Sequence, residues 1–366
     1  MTHSRAAVLR GPEAPYVVED VVIEDPRPGE VLVRVVAAGL CHTDLIARSP
    51  FFGPEFHPAI LGHEGAGVVD RVGDGVTAVA PGDHVVLTFD SCGTCAACLR
   101  GGPAYCATFR ARNLSGRRLD GTGSAHDSAG RPITSRWFAQ SSFSEYAIAT
   151  ERNVVRVDPD APLDLLGPLG CGVQTGAGAV LNELRVRPGS SVVVFGAGAV
   201  GLSAVMAAKL AGADEIVAVD LNPARLATAI ELGAVRTVHA TTDDLAEAVV
   251  ADGPGFDFSI DTTGVGAVMS TAITVLARRG KCALLGAGRD SLTVLPSELG
   301  GRSVTYVYEG SAIPRLFIPE LIRFWRRGLF PFDRLVRHYQ LDQLNVAESD
   351  TRGGVVVKPV LLMGNA

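Results

Sequence analysis

The chain has 366 residues, and at about 150 residues per domain this length allows two domains with sizeable hydrophobic cores. Apolar residues make up 47% and charged residues 20%, a balance that excludes a disordered chain and a long coiled coil. The formal net charge of −6 argues against nucleic acid as a partner.

The start of the chain and one later stretch were compared with the patterns of a signal peptide and of a membrane span. Residues 1–15 lack the apolar core of a signal peptide, so we expect a cytoplasmic protein. Residues 191–208 carry no charge, which fits either a membrane span or a strand, turn and helix buried on a parallel sheet. The Gly-Ala-Gly turn inside this stretch favours the second interpretation, and we expect no membrane partner.

The first 150 residues contain short β-rich runs bounded by Gly, Pro and Asp, at 30–39, 65–73 and 83–89. A polar, glycine-rich stretch at 110–136 predicts an exposed loop. From about residue 191, the apolar runs SVVVF, EIVAVD, FDFSID and KCALLG alternate with the helix-like runs AVGLSAVMAAKLAG, PARLATAIELG and AVMSTAITVLARRG. This alternation predicts an α/β fold with a doubly wound parallel sheet.

The architecture we expect is a β-rich domain interrupted by an α/β domain. After about residue 309, helix-like and strand-like pieces return, including a helix-like run at 314–327, and end in GVVVKPVLLMG. This tail is expected to rejoin the first domain. We place the domains at 1–173 with 310–366, and at 174–309.

A glycine-rich turn follows the strand SVVVF, with the sequence Gly196-Ala197-Gly198-Ala199-Val200-Gly201. It opens a helix, and the next strand ends at an acidic residue, which is the context a dinucleotide site requires. The first glycine makes the tight turn, the second lets backbone amides approach the pyrophosphate, and the third packs the helix on the strand. The alternative is a glycine-rich turn that binds no ligand.

The acidic residue, Asp220, is expected to accept hydrogen bonds from the adenosine ribose. A 2′-phosphate would meet its carboxylate, so the sequence predicts NAD rather than NADP. Arg225 lies five residues later and either softens this preference, contacts the ribose or lies at the surface.

Seven cysteines argue against a closed set of disulfides, and four of them lie within fifteen positions. The spacing of these four predicts a closed tetrahedral zinc site with a structural role. An iron–sulfur cluster and a redox sensor are the alternatives, although the proline that usually follows the last cysteine of a ferredoxin run is replaced by alanine. The four are Cys92, Cys95, Cys98 and Cys106.

The other cysteines are less informative by spacing alone. Cys41 begins Cys-His-Thr-Asp, His63 begins His-Glu-Gly-Ala-Gly, and Cys171 lies between two glycines. A lone cysteine usually behaves as a small buried hydrophobe. Cys282 fits that role, because it lies in a predicted core strand.

Together these motifs, in this order, resemble the zinc-dependent alcohol dehydrogenases of the medium-chain dehydrogenase/reductase superfamily. The likeness covers nearly the whole chain. Four segments are similar to the benzyl (aryl) alcohol dehydrogenase branch, namely PGDHVVLTF, FAQSSFSEYAIATERN, LLGPLGCGVQTGAG and FIPELIRFWRRGLFPFD. The resemblance implies a GroES-like, β-rich catalytic domain and a Rossmann coenzyme domain.

The resemblance also implies a catalytic zinc held by Cys41, His63 and Cys171, with a fourth position for water or alcohol. With the four-cysteine site this makes two zinc ions per chain. The zinc would lower the pKa of a bound alcohol, and hydride would then pass from the alkoxide to the nicotinamide of NAD.

Further roles carry over from the family. Glu64 matches an acidic residue behind the zinc that approaches the metal, or else is structural, and Asp44 is a candidate to hold the imidazole of His63. Thr43 matches the hydroxyl that accepts the alcohol proton. His42 and Lys358 match basic contacts to the pyrophosphate, with a surface role as the alternative for each.

One position departs from the pattern of many relatives. Their proton relay ends at a histidine where this chain has Ile46, which cannot carry a proton. The relay is therefore expected to end through water or His42, or proton release is slower.

Phenylalanines in segments expected around the zinc predict an aromatic-lined cleft for a neutral, bulky alcohol. They are Phe51, Phe52, Phe56, Phe89 and Phe138, and the alternative is that most of them belong to the core.

We therefore expect an NAD-dependent enzyme that interconverts primary aromatic or allylic alcohols and aldehydes, as a homodimer or homotetramer. The alternatives are a formaldehyde dehydrogenase that acts on a thiol adduct and a non-catalytic nucleotide-binding homologue.

Overall fold

The computed structural model describes residues 1–49, 52–251, 253–288 and 290–364. The chain divides into two units. Unit 1 comprises Met1–Cys171, Ile313–Glu320 and Asp333–Ala366, and unit 2 comprises Gly172–Ala312 and Leu321–Phe332. The domain boundaries given above from the sequence stay a prediction.

The strands of the described residues are numbered in chain order. They are β1 Thr2–Leu9, β2 Tyr16–Ile23, β3 Glu30–Gly39, β4 Ala59–Ile60, β5 Glu64–Val72, β6 His84–Leu87, β7 Ala125–Asp127, β8 Pro132–Ile133, β9 Tyr146–Thr150, β10 Val154–Arg156, β11 Ser191–Phe195, β12 Glu215–Asp220, β13 Arg236–His239, β14 Phe256–Asp261, β15 Leu276–Leu284, β16 Ser303–Tyr306, β17 Val336–Gln340 and β18 Lys358–Leu362.

The α-helices are numbered in the same way. They are α1 His42–Ala47, α2 Ala96–Leu99, α3 Phe109–Asn113, α4 Leu163–Leu166, α5 Gly172–Gly178, α6 Ala199–Leu210, α7 Pro223–Leu232, α8 Leu245–Val250, α9 Gly266–Thr274, α10 Pro314–Arg326 and α11 Leu344–Arg352. Short 3₁₀ helices lie at Pro54–Phe56, Pro103–Tyr105, Trp137–Ala139, Glu151–Asn153, Gly167–Gly170, Pro296–Leu299, Glu309–Ser311, Phe332–Leu335 and Leu341–Gln343, and a π-helix at Ala179–Leu184.

Unit 1 is built on two sheets. The smaller has the order β4-β1-β2-β7-β8, and the larger has the order β10-β6-β5-β3-β18-β17, with β9 also paired to β3. Strand β3 is central and mostly buried, as its apolar run predicts. The late strand β18 pairs with it antiparallel, with Val360 opposite Gly39, so the end of the described chain closes the sheet that residues 30–39 begin.

Unit 2 contains one sheet of six parallel strands in the order β13-β12-β11-β14-β15-β16. This is the doubly wound order in which the first strand of the unit lies at the centre. The uncharged stretch at 191–208 forms β11, a turn and most of α6. Among the described residues, every helix is too short or too polar to cross a bilayer.

Two predictions of local structure are wrong. The stretch 110–136, expected to be an exposed loop, contains β7 and β8 and places Asp127 and Arg136 in the interior. The helix predicted to run through VLARRG ends at Thr274, and β15 begins at Leu276, where it pairs with β14. In both places pairing with distant strands overrides local composition.

Candidate functional site

Four residues of unit 1 bring potential metal ligands together. One ligand atom from each of Cys41, His63, Glu64 and Cys171 lies within 4.8 Å of the other three. Cys41 caps α1 at the end of β3, His63 directly precedes β5, and Cys171 follows a 3₁₀ helix. The two thiols and the imidazole are buried, so an ion there would be shielded from water on most sides.

The imidazole of His63 is oriented for ligation. Its Nδ1 lies 2.8 Å from Asp44 Oδ1, while Nε2 is buried and has no hydrogen-bond partner in the described part of the chain. Burial by itself would lower the pKa of His63, but the Asp44 carboxylate raises it well above its ordinary value. A buried, unpartnered nitrogen beside two thiols fits a metal ion that takes this position.

The carboxylate of Asp44 is itself fixed in position by hydrogen bonds. Its Oδ1 also accepts hydrogen bonds from Gly62 N and Trp137 Nε1, both at 3.1 Å, and its Oδ2 accepts one from Cys41 N at 3.1 Å. These donors fix a buried carboxylate that faces the histidine. The set of two thiols and one oriented imidazole therefore fits zinc with an open fourth position.

The thiol of Cys41 is acidified in this setting. A hydrogen bond with Cys171 is the main cause that lowers the pKa of Cys41 well below its ordinary value, and nearby Lys358 and His63 act in the same direction. Thr43, the predicted proton acceptor, has its hydroxyl oxygen 3.9 Å from Cys41 Sγ. The hydroxyl therefore lies beside one of the potential ligands.

Glu64 and Lys358 form a buried ion pair behind this group. Lys358 Nζ lies 2.9 and 3.0 Å from the two carboxylate oxygens of Glu64 and donates to Leu40 O at 3.2 Å. Burial alone would lower the pKa of Lys358, but the Glu64 carboxylate raises it. Both charges are thus compensated within unit 1, and a contact of Lys358 with pyrophosphate stays a prediction.

The four clustered cysteines form a second group of potential ligands. Cys98 Sγ lies 3.6 Å from Cys95 Sγ and 3.9 Å from Cys92 Sγ. Zinc–sulfur bonds of about 2.3 Å would place the corners of a tetrahedron about 3.8 Å apart. The sulfur atoms therefore fit a single tetrahedral ion, and all four cysteines are free of disulfides.

Backbone amides support charge on these sulfur atoms. Cys92 Sγ accepts from Thr94 N at 3.4 Å and from Cys95 N at 3.2 Å, and these bonds lower the pKa of Cys92 to about 5. Cys106 Sγ accepts from Cys92 N at 3.2 Å. Donors aimed at sulfur stabilise thiolates, which are the form that binds metal.

Aromatic rings surround the buried histidine. Phe138 stacks on the ring of His63 with centroids 4.5 Å apart and an interplanar angle of 25°. Trp137 contacts the rings of Phe138, Phe52 and Phe56 at 5.3 to 5.8 Å.

Two further rings extend this aromatic cluster. Phe109 lies 6.4 Å from Phe138 and 5.8 Å from Phe89. Phe51, which we also placed at the cleft, lies outside the described residues.

The predicted dinucleotide turn lies in unit 2, between β11 and α6. Gly196 has φ +91°, and a Cβ there would lie 2.3 Å from Thr262 Oγ1. A Cβ at Gly201 would lie 1.7 Å from Gly196 O, so only glycine allows the helix to pack this closely. A Cβ on Gly198 would meet no atom within 4 Å, which leaves open space above the turn at the start of α6.

Asp220 ends β12 beside this turn. Its Oδ2 accepts from Ala197 N at 2.6 Å, and its Oδ1 accepts from Asn222 N at 2.8 Å. Val200 lies in the first turn of α6. Arg225 lies in the first turn of α7, and its Nε is buried with no hydrogen-bond partner among the residues described.

Helix α1 carries the two remaining residues of interest. His42 is exposed at its first position, and Ile46 is half-buried four residues later, on the same face of the helix. A proton path that uses His42 would therefore pass alongside Ile46.

Sequence reasoning missed two residues that hold the site. Trp137 donates to Asp44, as described above, and Gln140 Nε2 donates to His63 O at 2.9 Å. Gln140 also accepts from Gly65 N at 3.1 Å and is fully buried. No local signal in the sequence could have found them, because the segment around them mixes polar and apolar residues and their partners Asp44 and His63 lie far away along the chain.

Comparisons with known proteins identify the family to which the chain belongs. The family described as alcohol dehydrogenase GroES-like domain matches residues 27–159, and the one described as zinc-binding dehydrogenase matches residues 199–324. A geraniol dehydrogenase of Castellaniella defragrans is 45% identical, with 98% of this chain and 97% of that protein covered.

Two crystal structures are similar over the full length of both chains. An alcohol dehydrogenase zinc-binding domain protein from Burkholderia ambifaria is 48% identical with a TM-score of 0.96. A benzyl alcohol dehydrogenase from Acinetobacter calcoaceticus is 42% identical with a TM-score of 0.95. The chain therefore belongs to the zinc-dependent medium-chain alcohol dehydrogenases, in the aryl-alcohol branch.

Proposed function

We propose that this enzyme is an NAD-dependent alcohol dehydrogenase that interconverts primary aromatic or allylic alcohols and their aldehydes. The observation that carries the proposal is the imidazole of His63, which has a free, buried Nε2 beside two thiols and an aromatic ring stacked on its face. One site thus joins a metal-ligating group to an apolar surface that suits a flat substrate.

Each residue near the metal position has a distinct task. Asp44 keeps His63 in the tautomer that presents Nε2, and the Cys41 and Cys171 thiolates complete the ligand set. When bound, zinc supplies Lewis-acid polarisation of the alcohol oxygen and the dinucleotide supplies a hydride acceptor. The Thr43 hydroxyl accepts the alcohol proton. Because Ile46 cannot carry a proton, water or His42 takes the proton onward.

The substrate class is supported by the aromatic cluster and by the names of the relatives. Phe138 and Trp137 are buried against His63 and Asp44, and both are large, rigid and apolar. Both belong to the hydrophobic core of unit 1, so they make the surroundings of the metal position apolar, which favours a neutral alcohol over a charged one. The similar proteins are described as acting on geraniol and benzyl alcohol.

The choice of NAD is supported by unit 2. The open space at Gly198 admits a pyrophosphate at the start of α6, and the Asp220 carboxylate lies against the same turn. A carboxylate at this place accepts ribose hydroxyls and repels a 2′-phosphate. Assembly as a homodimer or homotetramer and a cytoplasmic location remain predictions.

Steady-state kinetics tests the proposal directly. With NAD, we expect kcat/KM for benzyl alcohol and geraniol to exceed that for ethanol by on the order of 100-fold, because ethanol has far less apolar surface to bury beside the metal position. NADP should support a much lower rate. Equal kcat/KM for ethanol and benzyl alcohol would contradict the substrate assignment.

An oxidation assay with formaldehyde and glutathione distinguishes the proposed function from the main alternative. A thiol-adduct dehydrogenase would oxidise formaldehyde only when glutathione is present and would be slow with benzyl alcohol. A non-catalytic homologue would bind NAD without turnover of any alcohol. Either result would contradict the function proposed above.

A further inference from the structure

Thr88 directly follows β6 and lies close to the residues that carry two of the proposed metal ligands. Strand β6 pairs antiparallel with β5, with Val86 opposite Ala66, so the end of β6 lies beside the start of β5, which follows His63. The side chain of Thr88 is fully buried. A buried hydroxyl needs a hydrogen-bond partner, and the partner of this one shows what the residue can do.

The hydroxyl binds the main chain just before Cys171. Thr88 Oγ1 donates to Gly170 O at 2.6 Å. This carbonyl belongs to the peptide group that joins Gly170 to Cys171, so the hydrogen bond fixes the plane from which the cysteine continues. A Cβ on Gly170 would lie only 2.1 Å from Leu87 O, so the main chain here is packed tightly on the end of β6.

The carbonyl of Thr88 is linked to His63 through one amide side chain. Gln140 Nε2 donates to Thr88 O at 3.2 Å and to His63 O at 2.9 Å, and Gln140 Oε1 accepts from Gly65 N at 3.1 Å. Asn153 fixes Thr88 in turn, because its Nδ2 donates to Thr88 O at 3.1 Å and its O accepts from Thr88 N at 2.9 Å. The side chains of Gln140 and Asn153 are both fully buried.

These hydrogen bonds connect two ligand residues without using their ligand atoms. Thr88 and Gln140 bind the main-chain oxygens of Gly170 and His63, so they do not compete with a metal ion for the Cys171 sulfur or for Nε2 of His63. The connection persists whether or not a metal is bound. It is the counterpart of Asp44, which links His63 to the main chain at Cys41.

We propose that Thr88 is a positioning residue that, together with Gln140, fixes the distance between the main chains of His63 and Cys171 and so preorganises the catalytic zinc site. The inference rests on the proposed function, because it takes Cys41, His63 and Cys171 as the zinc ligands. Ligands that are held in place before the metal arrives do not have to be ordered when it binds.

Thr88→Val tests the proposal, because it removes the hydroxyl and nearly keeps the shape of the side chain. We expect the variant to bind zinc at the proposed catalytic site about tenfold more weakly, as is typical when a partner outside the metal ligands is lost. The four-cysteine site of the same chain is the internal reference and should keep its zinc affinity. Stepwise competition with a chromogenic chelator measures both affinities.

Two further variants separate positioning from general destabilisation. Thr88→Ser restores the hydroxyl and should bind zinc as tightly as the wild type. Ser259→Ala is the matched control in unit 2, because Ser259 is fully buried and its Oγ donates to Ala272 O at the same distance, 2.6 Å. It should keep both zinc affinities. Unchanged affinity in Thr88→Val, no recovery in Thr88→Ser, or an equal loss in Ser259→Ala would overturn the proposal.

Cobalt(II) in place of zinc reports the geometry of the site directly. We expect the visible absorption bands of cobalt at the proposed catalytic site to change in Thr88→Val and to return in Thr88→Ser. If Thr88→Val does not fold, Gln140→Met carries the same comparison, because it removes the donor to His63 O. A wild-type zinc affinity and cobalt spectrum in that variant would overturn the proposal.

The same measurements separate this inference from the proposed function. A wild type that binds one zinc ion per chain would refute the set of ligands and the role of Thr88 with it. A wild type that binds two zinc ions but oxidises no alcohol would refute the proposed function alone. In that case the zinc affinities of Thr88→Val and Thr88→Ser would still decide the role of Thr88.

Discussion

The orientation of one histidine depends on one carboxylate. Both carboxylate oxygens of Asp44 accept hydrogen bonds, Oδ2 from Cys41 N and Oδ1 from His63 Nδ1. In an asparagine, one of these two acceptors would be replaced by an NH₂ group, which cannot accept. We expect Asp44→Asn to weaken zinc binding at the proposed catalytic site by about 10 to 100-fold. Competition with a chromogenic chelator measures this loss.

Asp25→Asn serves as the control for this prediction, because Asp25 is 57% exposed. The four-cysteine site should keep its zinc in both variants. Two tightly held zinc ions in Asp44→Asn would show that the carboxylate does not position the ligand.

We also propose that one side chain, that of Asp220, decides the choice of cofactor. Asp220→Asn keeps an acceptor for Ala197 N but removes the negative charge beside the glycine turn. We expect the preference for NAD over NADP to fall by on the order of tenfold, because a 2′-phosphate would no longer be repelled. The ratio of kcat/KM values measures it, with exposed Asp214→Asn as the control. An unchanged ratio would refute a ribose role for Asp220.

At the same scale, prediction from sequence had a clear limit. The four-cysteine spacing predicts a group that the structure brings together, because all four residues lie within one short segment. Cys41, His63 and Cys171 converge only through the fold, so their grouping rested on resemblance. Trp137 and Gln140 were missed, since their partners Asp44 and His63 are distant in sequence.

At the scale of elements, strand β3 carries a buried charge that makes stability depend on pH. Burial would raise the pKa of Glu30, but hydrogen bonds from Arg118 and the nearby charge of Arg136 lower it below the ordinary 4.5. The stabilisation is therefore fully present above pH 4.5 and is lost as the pH falls through the lower pKa of the folded state.

Glu30→Gln tests this dependence. We expect the variant to lose about 3 kcal/mol of unfolding free energy at pH 7, because it leaves Arg118 and Arg136 without their carboxylate. The difference from wild type should shrink as the pH falls below 4.5. Urea unfolding across this range measures it, with exposed Glu247→Gln as the control. If the difference in unfolding free energy between Glu30→Gln and the wild type does not vary with pH, the charge of Glu30 is not the cause of the stabilisation.

The same ion pairs explain why one element was mispredicted. Local composition at 110–136 is polar, yet Arg118 and Arg136 find their carboxylate on β3, 88 residues before Arg118. By contrast, β3 was predicted at its observed bounds, because its apolar run is visible locally. Strand β15 was missed at its start because its pairing with Phe256 on β14 outweighs the helix-forming residues of the segment.

For the whole molecule, the two groups of potential zinc ligands predict two separable roles, one catalytic and one structural. We expect Cys171→Ala and Cys98→Ala each to reduce the zinc content from two ions per chain to one. Cys171→Ala should abolish activity and leave Tm nearly unchanged, whereas Cys98→Ala should lower Tm by roughly 5 °C. Metal analysis, thermal unfolding and turnover of benzyl alcohol measure these effects on the same samples.

Cys282→Ala is the matched control for both variants, because Cys282 is a buried core residue outside the two groups. It should keep both zinc ions. A Cys98→Ala variant with normal Tm would contradict a structural role for the four-cysteine site.

The ion pair between Glu64 and Lys358 sets an order of events during synthesis. Its partners are 294 positions apart, and Lys358 opens the last strand of the larger sheet in unit 1. While the ribosome is still translating the intervening residues, the carboxylate next to His63 has no counter-charge and cannot be buried cheaply. The proposed catalytic zinc site can therefore mature only after Lys358 has emerged, whereas the segment that holds the four clustered cysteines is complete much earlier.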